Sequence, residues 1–421
     1  MASLAEYERY MSRLCEKFGH ADRRAGFMAH GRGLMLPIER KSVEPLAAYT
    51  DPWHVSAKHQ SLHRMEAKSA WSDEAVLTGV REWVGPALKL EKGCYWIVDD
   101  TGFPKKGEHS VGVERHYCGQ LGKQDNCQVE VSISLASAQG SLPIAFRRIL
   151  PEEWAGDRAR REKAGVPGEI RFATKPQTAL EQVRAAKAAD VPVGVVLGDT
   201  GYGNGIEFRD GVRELGLKYC VGCSRARQCG RETWRRCHRS RRRISEVVPP
   251  LGCVALRVRA SHQGRFRSEL REEEWLVIEW SSEPVHYWLS NPPANTTLRT
   301  RVSTAMTRWR LERDYQELKQ EFGLSHYEGR GWRGFHHLAT LCIAARGFLV
   351  SERLKGGGSK KTPLNQKRLS YPKTTRRAAA GRMQRHVPDS IPTLRHPLAR
   401  AIAQRLDRRP FCALPITKRT L

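Results

Sequence analysis

A chain of 421 residues with 72 Lys plus Arg against 45 Asp plus Glu carries a formal charge of +27 and a pI near 10. Its 40 % hydrophobic content excludes wholesale disorder. The length predicts two or three domains, and the cationic surplus points to a polyanionic partner, nucleic acid first. An anionic membrane is not the expected partner, because the longest apolar run, Leu338 to Val350, is broken by Arg346 and too short to span.

The N-terminus, MASLAEYERYMSRLCEKFGH, has charges throughout and no signal-peptide core. Eleven irregularly spaced cysteines, an odd number, predict reduced thiols in a cytoplasm. Residues 1–88 read as a helical, DNA-binding region: Ala5 to Phe18 and Trp71 to Trp83 both place apolar residues at helical spacing. From Cys94 the pattern changes to short apolar runs. Cys94 to Asp99, Val129 to Leu135 and Pro143 to Leu150 predict three consecutive strands. A helix over Gln177 to Ala189, a strand over Val191 to Leu197, a helix over Ile206 to Leu215 and a strand over Leu217 to Val221 follow. The sum is an α/β core with a mixed sheet, over residues 89–222.

Residues 223–298 read as an insertion. Arg225 to Arg243 holds nine arginines and one acid, a solvated loop suited to phosphate. Cys223, Cys229, Cys237 and His238 match none of the usual zinc spacings. Gly252 to Arg259, Trp275 to Trp280 and His286 to Leu289 read as strands of a small inserted sheet. Residues 299–354 hold one long helix, Thr300 to Phe322, and the end of the core. Residues 355–421, with 17 Lys plus Arg and two acids, read as a disordered basic tail.

Three acids occupy telling places. Asp100 closes one predicted strand (WIVDDTGFPKKG), Asp199 closes another (VVLGDTGYG), and Glu312 lies on the long helix. In open α/β sheets ligands gather beyond the carboxyl ends of strands, and carboxylates there make a hard-oxygen site for Mg2+ or Mn2+. On a helix Arg308, Glu312 and Lys319 fall within about 40° of one another, beside the apolar stripe Leu311, Tyr315, Leu318 and Phe322. Taken alone, Arg308 and Glu312 make an ordinary i, i+4 ion pair.

Together these residues resemble DDE-type bacterial insertion-sequence transposases. Arg308-Trp309-Arg310-Leu311-Glu312 with Lys319 is similar to their Arg…Glu…Lys signature, Asp100-Thr101 to their first Asp-Thr, and Asp199 to their second Asp. Pro104 to Gly107 and Leu324 to His337 resemble one branch of the family; the departure is Ala305, where the signature often has Tyr. The resemblance covers roughly residues 90–350. It implies an RNase H-like, mixed five-stranded sheet with flanking helices, an inserted β-region, a helical N-terminal domain and a basic tail. It also implies two Mg2+ ions (Mn2+ as substitute) held by Asp100, Asp199 and Glu312, Asp100 bridging both. Arg308, Lys319, Arg330, Lys105 and Lys106 are the expected DNA contacts. His336 and His337 are expected in the core or facing DNA. Asp99 is the alternative first acid, since adjacent strand residues face opposite ways and only the preceding-Thr rule selects Asp100.

The expected activity is metal-dependent cutting of double-stranded DNA at terminal inverted repeats and strand transfer into a target, by a DNA-bound homodimer on the bacterial nucleoid. The alternatives are a transposase-derived DNA-binding protein without catalysis and an RNase H-fold nuclease that cuts without joining.

Overall fold

The computed structural model describes residues 3–18, 20–224, 252–259, 272–280, 284–356 and 390–407. The arginine-rich loop, Cys229, Cys237, His238 and most of the basic tail lie outside the described residues.

The N-terminal region is helical. Helix α1 (Leu4–Cys15) starts at Ser3, whose hydroxyl accepts from Glu6 N at 3.2 Å, and buries Tyr7, Tyr10, Met11 and Leu14 at helical spacing. Helices α2 (Ala21–Met35), α3 (Val43–Thr50), α4 (Val55–His63) and α5 (Asp73–Leu88) follow. Their side chains do not form a core of their own: Tyr7, Phe27, Leu46, Val80 and Leu88 belong to one apolar cluster with the strands and with Leu341 to Val350.

Strands β1 (Tyr95–Pro104), β2 (Glu114–Cys118), β3 (Lys123–Ala136) and β4 (Ser141–Arg148) come next. After helices α6 (Glu152–Gly156), α7 (Arg158–Ala164) and α8 (Lys175–Ala188) come β5 (Val195–Gly198), α9 (Thr200–Gly203), α10 (Ile206–Glu214) and β6 (Tyr219–Gly222). Strand β3 is antiparallel to β1 and β4, β5 is parallel to β1, and β6 is parallel to β5. The order β4-β3-β1-β5-β6 is a mixed five-stranded core with helices packed on it, as expected.

Four details differ from the sequence reading. Strand β1 runs on through both aspartates to Pro104, because the long, half-polar β3 pairs with it from Tyr95 to Pro104. The inserted strands β7 (Gly252–Val258), β8 (Glu274–Trp280) and β9 (Pro284–Ser290) do not form a separate sheet. Through β9 on β6 they extend the core into one nine-stranded sheet among the described residues. The long helix is broken into α11 (Leu298–Met306) and α12 (Trp309–Gln320). At the break the Thr307 hydroxyl donates to Ser303 O at 2.8 Å, a side-chain bond that competes with continued helix. Finally, the tail is not wholly irregular. After α13 (Trp332–Gly356), helix α14 (Ile391–Ala403) buries Ile391, Leu398 and Ile402, spaced to share one helix face.

Helix α13 is buried nearly all round, from Trp332 to Ser351. The one cation in that apolar run, Arg346, is 1 % exposed. It donates to Glu317 at 2.8 Å and to Ser141 O at 3.0 Å, and pairs with Asp314. Removing one partner of a buried ion cluster leaves the others uncompensated. Arg346→Met should therefore destabilise the fold by about 3–5 kcal/mol in urea unfolding; a loss below about 1 kcal/mol would show that the cluster is solvated.

Candidate functional site

Strands β1 and β5 run parallel, with Ile97 beside Leu197, so both chains deliver their aspartates to the same end of the sheet. Only Tyr95 to Ile97 pair with β5, which leaves β1 open on that side from Val98 onward. A cleft of about 700 Å³ forms there, lined among others by Asp99, Asp100, Asp199, Lys175, Tyr202 and Lys319. A larger concavity of about 980 Å³ lies among the N-terminal helices, lined by His20, Arg23, His59, His63, Arg64 and Lys68 and by no carboxylate. It is basic surface; the acids are elsewhere.

Alternation along β1 separates the two neighbouring aspartates. Ile97 packs with Leu197, Leu311 and Tyr315, on the face covered by α12. Asp99 shares that face: it accepts from Arg308 at 2.9 Å, and Tyr315 OH donates to its backbone carbonyl at 3.1 Å. Asp100 points to the other face, where Lys175 donates to it at 2.6 Å and Tyr202 OH at 3.3 Å. Burial pushes the Asp99 carboxyl up to about 7; Arg308 opposes the rise, and Asp199 and Asp100 add to it.

Asp199 caps α9. Its carboxylate accepts from Gly201 N at 2.8 Å, the usual work of an aspartate at a helix start. The turn is pressed on β6 so closely that a Cβ on Gly203 would lie 1.8 Å from the Gly222 carbonyl oxygen. Only glycine fits, and the fit holds the Asp199 turn against the sheet.

Glu312 lies on α12 with its side chain 61 % exposed, accepting from Arg308 at 2.8 Å. It does not line the cleft. Arg308 thus bridges Asp99 and Glu312, which is the expected i, i+4 pair with a third member. Lys319 does reach the cleft, donating to Gly102 O at 2.7 Å, 4.4 Å from the Phe103 ring centre. Burial lowers its ammonium to about 8.

Of the other expected DNA contacts, Lys106 and Arg330 are exposed, while Lys105 turns toward Tyr327. His337 is buried, hydrogen-bonded to Glu66 O at 2.8 Å and stacked on Trp71. His336 contacts Trp332 O at 2.8 Å, and burial depresses both imidazoles, to about 3 for His336 and about 4 for His337. His337 is a core residue, and His336 is half-buried beside Trp332. The cysteines among the described residues are free thiols, and no helix among those residues is long and apolar enough to cross a membrane.

Sequence reasoning missed Lys175, Tyr202, His116 and Tyr117, which line the cleft. Lys175 had a signal: Thr174-Lys175-Pro176-Gln177 is a capping box, with Gln177 N donating to Thr174 Oγ1 and Thr174 N to Gln177 Oε1, so Lys175 is the first residue of a helix.

As chemistry, the acids are a hard-oxygen donor set that suits a divalent cation. As geometry, among the described residues no three His, Cys, Asp or Glu side chains converge closely enough to hold one. Asp99, Asp100 and Glu312 are each paired instead with a cation of the chain itself.

Comparisons with known proteins add to this. A family model described as DDE superfamily endonuclease matches residues 13–260. A probable transposase for insertion sequence element IS701, from Microchaete diplosiphon, is 32 % identical over 192 residues, 45 % of this chain and 46 % of that protein. The chain thus spans about half the length of that curated relative. A cryo-EM structure of the piggyBac transposase synaptic complex with hairpin DNA aligns with 95 % of this chain and 74 % of its own, at 11 % identity and a TM-score of 0.43.

Because burial holds Lys319 below its ordinary value, its folded form carries a penalty that is fully present below about pH 8 and relieved as pH rises toward the unfolded value. Lys319→Met should therefore raise stability at neutral pH by roughly 1–3 kcal/mol, with the gain vanishing by about pH 10.5. Denaturant midpoints across that range check it; a gain independent of pH would mean the ammonium is already well solvated.

Proposed function

The chain belongs to the DDE superfamily endonucleases, and from that premise we propose that it is a transposase, cutting double-stranded DNA at an element's terminal repeats and joining the freed 3′ ends to a target. The observation that carries this reading is the convergence of Asp100, Asp199 and Lys319 on one cleft at the carboxyl ends of two parallel strands. The net charge of +27 supplies the attraction for duplex DNA.

Divalent metal use goes with the superfamily. Asp100, Asp199 and Glu312 are the proposed ligands for two Mg2+ ions, with Mn2+ as substitute. Such ions, when bound, activate the attacking oxygen and stabilise the leaving one. The chain's own residues have separate work. Lys319 and Arg308 hold the phosphates flanking the scissile bond, the guanidinium by two parallel hydrogen bonds. Asp99, nearly enclosed and engaged by Arg308, positions that arginine. Asp100 is the acid on the open edge of β1, joined through Tyr202 to the turn that carries Asp199. A homodimer assembled on DNA is part of the proposal, since two element ends must be cut together.

The test is a cleavage and joining assay on a DNA carrying the inverted repeats that flank the gene, with Mg2+. Asp199→Asn and Glu312→Gln should lose cleavage by at least about a thousandfold while keeping DNA affinity. Asp100→Asn should do the same, and Asp99→Asn should retain measurable cutting. Greater damage from Asp99→Asn than from Asp100→Asn would move the first ligand to Asp99, on the face that Arg308 and Glu312 already share. Cut but never joined products would favour a hydrolytic nuclease.

A further inference from the structure

Two cations are seated on acids in and beside the cleft. Arg308 donates to Asp99 at 2.9 Å and to Glu312 at 2.8 Å; Lys175 donates to Asp100 at 2.6 Å. Each stands at the start of a helix, Arg308 just before α12 and Lys175 first in α8. Both are partly exposed, 29 % and 39 % by side chain, on long stems that can turn to solvent. We propose that Arg308 and Lys175 keep the acidic site closed to metal in the DNA-free chain, and that DNA phosphates draw them off the carboxylates, so that DNA binding assembles the metal site. This rests on reading the cleft as a metal-dependent DNA-cutting site.

The argument is one of competition. A carboxylate oxygen with an ammonium or guanidinium hydrogen at this distance has that lone pair occupied, and a divalent ion must displace the cation to use it. Partly exposed ion pairs are weak and exchange readily. A phosphodiester offers each cation an equivalent anionic partner, and offers Arg308 a bidentate one. When the cations move to phosphate, Asp99 and Asp100, which line one cleft with Asp199, and Glu312, which shares Arg308 with Asp99, are left as uncompensated negative charges. That arrangement is unfavourable by itself and is relieved by a divalent ion. Because coupling between two ligands is reciprocal, metal must strengthen DNA binding by the same factor that DNA strengthens metal binding.

The test measures Mn2+ binding to the full chain by the spin resonance of free Mn2+, with and without a short duplex of mixed sequence at low salt. Mn2+ held by the DNA alone is subtracted. DNA should tighten Mn2+ binding by roughly 5- to 150-fold. Lys175→Met should tighten Mn2+ binding in the absence of DNA and shrink the coupling, whereas Lys175→Arg, which keeps the charge, should preserve it. Arg308→Gln should act as Lys175→Met does. Equal Mn2+ affinity with and without DNA, or a DNA-free Lys175→Met chain that binds Mn2+ no better than the parent, overturns the gating and leaves the site reading standing. No Mn2+ binding even with DNA present overturns both.

Discussion

The site depends on a charge cluster that never touches it. Arg346, in the middle of the long, nearly fully buried helix α13, ties it to α12 through Asp314 and Glu317 and to β4 through the Ser141 carbonyl. Asp314 in turn accepts from Ser134 of β3 at 3.0 Å and from the Ser141 hydroxyl at 2.6 Å. One helix, two strands and the central helix are thereby fixed in mutual register. Apolar packing alone holds helices at a distance but tolerates sliding. A hydrogen-bonded ionic cluster with all its partners present does not, because any shift strands a buried charge. Asp314 and Glu317 lie two and five residues beyond Glu312, so the cluster sets which way Glu312 faces.

The same cluster explains how the helix expected over Thr300 to Phe322 is broken without loss of placement. Thr307 interrupts the run, yet α12 is anchored downstream of the break by Asp314, Glu317 and the buried Leu311, Tyr315 and Leu318. Arg308, at the junction, keeps helical backbone angles and reaches across to Asp99. A single guanidinium thus spans an acid on the strand and an acid on the helix.

Much of this was legible in the sequence, for physical reasons that can be named. Short apolar runs ending in Gly or Asp located β1, β5 and β6, and the stripe Leu311, Tyr315, Leu318, Phe322 gave the buried face of α12. What stayed hidden depends on neighbours in space rather than in sequence. The extension of β1 past Asp100 is imposed by β3, whose Lys123 to Gln128 half has no apolar pattern of its own. The joining of the inserted strands to the main sheet requires knowing that β9 finds β6. Lys175 is 75 residues from Asp100, and nothing local to either marks the pair. The helix Ile391–Ala403 was obscured by the basic composition around it and by Pro397 within it.

Position 305 shows how a departure from a signature can be read in three dimensions. The sequence has Ala where the signature it resembles often has Tyr. Ala305 is 6 % exposed and packs in the cluster of Ile97, Leu197, Leu311 and Tyr315, beneath α12 and against the sheet. A side chain there faces the core, and a larger one would overpack it. An aromatic ring cannot be offered to DNA from this position. Exposed rings lie elsewhere, among them Tyr117, 65 % exposed on β2 at the edge of the cleft, and Trp309, 50 % exposed at the first turn of α12. Tyr117 lines the cleft that holds the aspartates. At position 305 the chain thus carries a core residue, and an exposed ring stands at the cleft on Tyr117 instead.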